Sequence, residues 1–580
     1  MEQTNEELQL RIRELEKEIA KLHTQIKKER YGLVWLDVPE GFERESENQI
    51  PVLEKVKDKA IKNDDGKPTH IIIEGDNYHV LTCLNYTHKG KIDVIYIDPP
   101  YNTGSDGFTY KDKRFLKEFP DGSPVPKDHP LRHSYWLSFM SKRLELAKNL
   151  LSDKGVIFIS IDDNEQANLK LLCDKIFGED KFVAIFPWRK RTAKSDVPYG
   201  VSQDYEWGIC YANKNFYAAT QGKERKYYLT DDFPEKPWRI HDMTTQRSAT
   251  ERPNCFFTII NPKNKQKFPC NPNRVWANNA ETFQEYYKQN RIVFPGDYDF
   301  LNITKPVLRY WKEEDEKKAN GNFGQVAATT FLPQEVGMTQ DGTKEITDLF
   351  GDKKFLFPKP TSIILYYLKI ATTRNQSSII LDFFAGSGTT LHATMKLNAE
   401  DGGNRQCILV QQKEGDKNIC ESVTYERNKR VINGYTNAKG ETVEGLGNSL
   451  KYYKTAFVGK HPAKSASDDD KIQLSLRAGC LLALAENTLE EIETTNCFQI
   501  FSDGNRHFTG VYFTGKAAEI PTFAQKLEAL RDENRRNKIS AYFFCWGDSE
   551  QFEDEFTSLE RISLKPIPKP ILDIYQSINN

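Results

Sequence analysis

The chain has 580 residues, too many for one ordinary core, so two to four domains are expected. Hydrophobic residues make up 38% and charged residues 28%, with a formal net charge of −2. That balance excludes global disorder and leaves any nucleic-acid binding to a local basic surface, which a neutral total can hide. The ten cysteines are scattered, with no CxxC pair and no histidine at ligand spacing. No metal site or disulfide framework is expected, and a reducing, cytoplasmic setting fits. No run reaches the roughly 18 apolar residues of a membrane span.

Leu8, Ile12, Leu15, Ile19, Leu22 and Ile26 alternate steps of four and three, about three heptads. The seam is either one amphipathic helix packed on its own domain or a coiled coil joining a homodimer. Residues 1–60 are taken as this helix and a linker. From about residue 70 the rhythm changes. Ile71–Ile73 reads as a buried strand ending at Glu74-Gly75-Asp76, with a helix after it. Ile92–Ile97 is a second strand, ending at Asp98. Residues 134–151 read as a helix, Val156–Ile161 as a strand, 164–177 as a helix and Phe182–Trp188 as another strand. Strands that are almost wholly apolar and alternate with helices imply a mostly parallel α/β sheet covered on both faces.

Residues 189–354 break the rhythm, being rich in Lys, Arg, Asn, aromatics and proline, and read as an inserted domain. The sheet pattern resumes at Ser378–Asp382, followed by a helix from Thr389 and a strand at Ile408–Val410. Residues 61–188 and 355–458 are thus two halves of one domain. Residues 459–580 read as a small, independent α+β domain, with a helix over 523–535 and a strand through Tyr542-Phe543-Phe544.

Two motifs sit directly after strands, where open α/β sheets bind ligands. The first is Asp98-Pro99-Pro100-Tyr101. Its prolines fix φ and stiffen the loop, so the Asp98 carboxylate and the Pro99 carbonyl stand as two pre-placed acceptors. An aromatic amine suits them. Its lone pair is delocalised into the ring, and two acceptors pull the nitrogen toward tetrahedral geometry. Tyr101 offers a face for stacking a base, worth roughly 1–3 kcal/mol. The second motif is Asp382-Phe383-Phe384-Ala385-Gly386-Ser387-Gly388-Thr389-Thr390. Its glycines allow close backbone approach, but it lacks both the third glycine of dinucleotide turns and the lysine of phosphate loops. Such a turn suits a cofactor without phosphates, such as S-adenosylmethionine.

Together the motifs resemble the amino-directed DNA methyltransferases. The order here, catalytic motif first and cofactor motif last, resembles their β class. Tyr31–Trp35, Ile97–Gly104, Phe158–Glu165 and Lys359-Pro360 are similar to the modification subunits of type III restriction–modification systems, over about residues 30–190 and 355–415. The resemblance implies a Rossmann-like methyltransferase fold with S-adenosylmethionine as cofactor. It implies that Asp98, Pro99, Pro100 and Tyr101 are catalytic. It places Asp382, Phe384, Ala385, Gly386, Ser387, Gly388 and Thr389 around the methionine part of the cofactor, Lys359 and Pro360 on its amino-acid side, and Asp76 near its adenine. Where many relatives carry an acidic residue for the ribose this chain has Gln411-Gln412, so Gln411, or Glu414 reaching back, takes that place.

In the family that the chain resembles, Ser at the head of the first motif leans to the N4 of cytosine, so Asp98 there implies the N6 of adenine. The target base must leave the duplex, which costs a few kcal/mol. Arg189, Lys190, Arg191 and Lys194 form the best basic cluster for phosphate contacts. The implied partners are double-stranded DNA and a separate helicase–nuclease chain, since no phosphate loop of the GxxxxGK[ST] type occurs here. The competing readings are an orphan adenine methyltransferase, a cytosine-N4 enzyme, an RNA methyltransferase and a catalytically silent DNA-binding subunit.

Overall fold

In a computed structural model the described residues are 33–38, 49–104, 114–119, 122–127, 129–192, 198–222, 225–320, 323–413, 418–534 and 536–578. The heptad seam, Tyr31, Lys194 and Glu414 lie outside them. Two compact units are present, Met1–Ala218 with Thr329–Asn580, and Ala219–Ala328.

The first unit is built on a nine-stranded sheet. Its strands are β1 (Ile50–Lys55), β2 (Thr69–Glu74), β3 (Ile92–Ile97), β4 (Leu151–Ile161), β5 (Phe182–Arg189), β6 (Tyr205–Ala212), β7 (Ile379–Asp382), β8 (Gln406–Gln411) and β9 (Ser449–Val458). They lie in the order β1-β9-β2-β8-β7-β3-β4-β6-β5. Strands β9, β2, β8, β7, β3 and β4 run parallel. Strands β1, β6 and β5 pair antiparallel at the two edges. The helices that matter for the site are α1 (Asn77–Thr87), α2 (Ser134–Leu150), α3 (Gln166–Phe177), α4 (Thr339–Phe350), α5 (Thr361–Thr372) and α6 (Thr389–Asp401). The central strands are apolar because both faces are covered. Ile71, Ile73, Ile95, Ile97, Ile157, Ile159, Leu381 and Ile408 are all fully buried. The expected mostly parallel, Rossmann-like sheet is therefore present.

β3 and β7 are direct neighbours, with Val94 opposite Ile380 and Ile95 opposite Leu381. Residues nearly three hundred positions apart thus end side by side at the carboxyl edge of one sheet.

Two boundaries differ from the sequence reading. The second compact unit is narrower than the expected 189–354. Tyr205–Ala212 is a strand of the main sheet, inserted between β4 and β5. Gly208 permits this, since a Cβ there would lie 2.2 Å from the Tyr367 hydroxyl. The strand carries Glu206 and Trp207 at one end and an apolar stretch at the other, so no clean period shows. The C-terminal region also differs. It does form a five-stranded sheet with a helix, Ile520–Glu533, packed through Phe523 and Leu527. It is not independent, however, because Phe501, Val511, Tyr542, Ile571 and Tyr575 join the core of the main sheet.

The second unit has its own four-stranded antiparallel sheet, with Trp238, Val293 and Trp311 at its centre. The Arg309 guanidinium lies over the rings of Phe233 and Trp238, 4.4 Å from each centroid. Among the described residues, no helix is long and apolar enough to cross a membrane.

Candidate active site

The loop after β3 is held from three sides. The indole N–H of buried Trp136, on α2, donates to the Pro100 carbonyl at 2.7 Å. Asn102 sits at a φ of 58°, a region that asparagine tolerates better than most residues. Its amide donates to buried Glu165, which also accepts from His133 and Asn168. On the third side lies a buried lysine. The Lys359 ammonium is 3.0 Å from each Asp98 oxygen, 2.7 Å from the Tyr101 hydroxyl and 3.1 Å from Glu206 Oε2. Tyr101 donates to Asp98 Oδ1 at 2.7 Å. Lys190 completes the cluster, 3.4 Å from Glu206 Oε1.

Two cations and two carboxylates therefore balance in a half-dry pocket. Burial alone would lower the pKa of Lys359, but the carboxylates of Asp98 and Glu206 outweigh it and hold the ammonium above its ordinary value. Burial would raise Glu206, but Lys359 and Lys190 hold its carboxyl below the usual range. The Tyr101 hydroxyl is pushed well up by burial and by the Asp98 carboxylate, so it remains a donor.

The glycine turn after β7 is held differently. Gly386 and Gly388 adopt φ values of 50° and 74°. The Gly386 N–H donates to Gln411 Oε1 at 2.7 Å, and its carbonyl accepts from Thr424 at 2.6 Å. Asn428 donates to the Gly388 carbonyl. Asp382 accepts from the Phe384 N–H at 3.0 Å and the Thr390 hydroxyl at 2.6 Å. Burial nevertheless raises its carboxyl to about 7, with Asp98 adding to the rise.

A third piece, Pro358-Lys359-Pro360, runs between these loops. Gly342 on α4 allows it to pack closely, since a Cβ there would lie 2.1 Å from the Pro358 carbonyl. Glu345 on the same helix accepts from the Thr361 N–H at the start of α5 and from Arg427. Arg427 in turn donates to Ser387 and Thr389.

Asp98, Pro100, Lys359, Asp382, Phe384, Ala385, Gly386, Ser387, Thr389 and Gln411 line one cleft of about 870 Å³, part of it open solvent. Phe139, Phe355, Phe357 and Asn77 supply further walls. Pro99, Tyr101, Pro360 and Gly388 support these segments without lining the cleft. Asp76 does not line it either. Its carboxylate caps α1 by accepting from the Tyr78 N–H, and the Arg143 guanidinium lies 3.5 Å away. Gln411 faces the cleft, but its side-chain oxygen is spent on the glycine turn. Lys359 is directed at Asp98 rather than away from it. Of the basic cluster, Arg189 is exposed, Lys190 pairs with Glu206, and Arg191 bonds the Gln203 carbonyl beside Asp204.

Sequence reasoning missed Glu206, Trp136, Glu345 and Arg427. None lies in a motif, and each gains its place only when strands and helices distant in sequence meet.

A model of the DNA methylase family matches residues 92–437, more than half of the chain, and the chain belongs to that family. Among curated relatives it is similar to the type III restriction-modification enzyme StyLTI Mod subunit of Salmonella typhimurium, 35% identical over 70% of this chain and 62% of that one. The EcoP15I Mod subunit of Escherichia coli is 27% identical over 91% of this chain and 89% of its own length. The type II methyltransferase M.KpnI of Klebsiella pneumoniae is 31% identical over 66% and 90%. The chain thus spans less than two thirds of the Salmonella protein.

Proposed function

We propose that this chain transfers a methyl group from S-adenosylmethionine to the N6 amino group of adenine in duplex DNA, as the modification subunit of a type III restriction–modification system. The observation that carries the reading is the single cleft shared by the Asp98 tip and the Gly386 turn on adjacent strands. The residues fit the cofactor. A glycine turn, an acidic group at Asp382 and the rings of Phe355, Phe357 and Phe384 make a pocket that is part apolar and part anionic, as a sulfonium nucleoside requires. When bound, the cofactor supplies an activated methyl group. Asp98 and the Pro99 carbonyl accept hydrogen bonds from the target amine as its nitrogen acquires positive charge, and they cost little reorganisation because the prolines and Trp136 already fix them. Tyr101 supports the extruded base.

The expected partners are duplex DNA, a helicase–nuclease chain and a second copy of this chain. Two of the three relatives named above are type III Mod subunits, which supports the first two; M.KpnI, a type II enzyme, favours a solitary methyltransferase as the second reading. Transfer of labelled methyl from S-adenosylmethionine to duplex DNA, with the product base identified, tests the activity. Asp98→Ala should reduce the rate about 10²-fold or more, the scale for losing a hydrogen bond to developing charge. A wild-type rate refutes the role, and methylcytosine as product refutes the base. Co-purification of a helicase–nuclease chain separates the two systems.

A further inference from the structure

The Asp98 carboxylate already accepts from two neighbours. One ammonium, that of Lys359, spans both carboxylate oxygens, and the Tyr101 hydroxyl takes Oδ1 as well. An incoming amino group is itself a nitrogen donor, and it competes with Lys359 for the carboxylate. Resting on the reading of Asp98 above, we propose that Lys359 occupies the place of the target amino group in the DNA-free protein, and that Glu206 is a positioning residue to which Lys359 withdraws when the base enters.

The geometry makes the exchange local. Lys359 Nζ is already 3.1 Å from Glu206 Oε2, so leaving Asp98 requires rotation near the end of one side chain and no backbone movement. The Tyr101 hydroxyl, 2.7 Å from Asp98 and 3.2 Å from Glu206, bridges both positions. Charge decides that a second place is needed. The Lys359 side chain is only 9% exposed, and a buried ammonium without a carboxylate is costly. Glu206 keeps it paired, and Lys190 on the other oxygen keeps Glu206 ionised once both cations share it. The occupied site also stays charge-balanced until a base arrives.

The test is single-turnover methyl transfer to duplex DNA at saturating S-adenosylmethionine, together with fluorescence of 2-aminopurine at the target position. Glu206→Gln confines Lys359 to Asp98, so transfer should slow about tenfold and the extruded-base signal should fall, with cofactor affinity unchanged. Adding Lys359→Met frees Asp98, so the Glu206→Gln/Lys359→Met protein should be faster than Glu206→Gln alone. A merely structural ion pair predicts the reverse, with the double variant as slow or slower. Wild-type speed in Glu206→Gln, or no gain in the double variant, overturns the proposal. Should Glu206→Gln fail to fold, Glu206→Asp, which keeps the charge and shortens the reach, supplies the same comparison. Asp98→Asn runs alongside. Full activity there overturns the reading of Asp98 itself, whereas an inactive Asp98→Asn beside an unaffected Glu206→Gln removes only the exchange.

Discussion

Two loops meet at the same sheet edge and are held by opposite means. The tip after β3 is fixed by side chains: an indole, a lysine, two carboxylates and a tyrosine hydroxyl. The turn after β7 is fixed largely through its own backbone, with two positive φ values and main-chain groups bonded to Gln411, Thr424 and Asn428. A loop that meets changing charge is built from charges and directional bonds. A loop that only has to lie close to a ligand is built from the absence of side chains. The comparison implies that the two should fail differently, the tip to loss of a charge and the turn to gain of a methyl group.

The largest separation should come from Asp98→Ala and Gly388→Ala. Asp98→Ala should abolish nearly all transfer while leaving the S-adenosylmethionine dissociation constant within about threefold. Gly388→Ala should do the converse. Its Cβ would lie 2.5 Å from Asn428 Nδ2 and 3.1 Å from the Thr424 carbonyl, at a φ of 74°. Strain of about 1–3 kcal/mol corresponds to about a 5- to 150-fold loss of cofactor affinity. Calorimetric titration of both variants decides it; equal losses of affinity would erase the distinction.

Asp382 sharpens the comparison, being the one acid of the glycine turn. Its carboxyl is raised to about 7, so the folded protein holds the proton at mildly acid pH. For stability the sign is clear. Relative to the ordinary value of 3.8, the contribution is complete below about 3.8 and is lost as pH rises through about 7. Binding a sulfonium cation favours the ionised form. Affinity for S-adenosylmethionine should therefore weaken as pH falls below about 7, by at most about tenfold per unit. Asp382→Asn should flatten that slope. An unchanged slope in the variant would place the titrating group elsewhere.

Much of this was legible in the sequence because the central strands are buried on both faces. Ile71–Ile73, Ile92–Ile97 and Ser378–Asp382 are runs that only a covered parallel sheet explains, and each motif follows such a run. Edge strands gave less. Tyr205–Ala212 mixes Glu, Trp and Gly with apolar residues, so in sequence it reads as part of the insert, and Glu206 with it. Lys359 was visible as half of a Lys-Pro pair, but its direction was not. Nothing local says that a lysine two residues before α5 reaches back to an aspartate after β3. The C-terminal sheet showed its own period yet not that its second face completes the core of the first. Contacts between distant segments carry no periodicity, so they appear only in three dimensions.

The smallest expected effect tests the tip at its most neutral support. Trp136 is fully buried, and its indole N–H donates to the Pro100 carbonyl. Trp136→Phe keeps most of the apolar volume and removes that bond, leaving a buried acceptor at a cost of about 1–3 kcal/mol. Part of this appears as lower stability and part as a less fixed tip, so transfer should slow only about three- to tenfold. The charges around Asp98 are untouched, and the glycine turn has no bond to this indole. The dissociation constant for S-adenosylmethionine should therefore hold steady while the rate falls. A loss of cofactor affinity as large as the loss of rate would mean that the two loops are coupled through α2, and that the division of labour between them is weaker than their separate supports suggest.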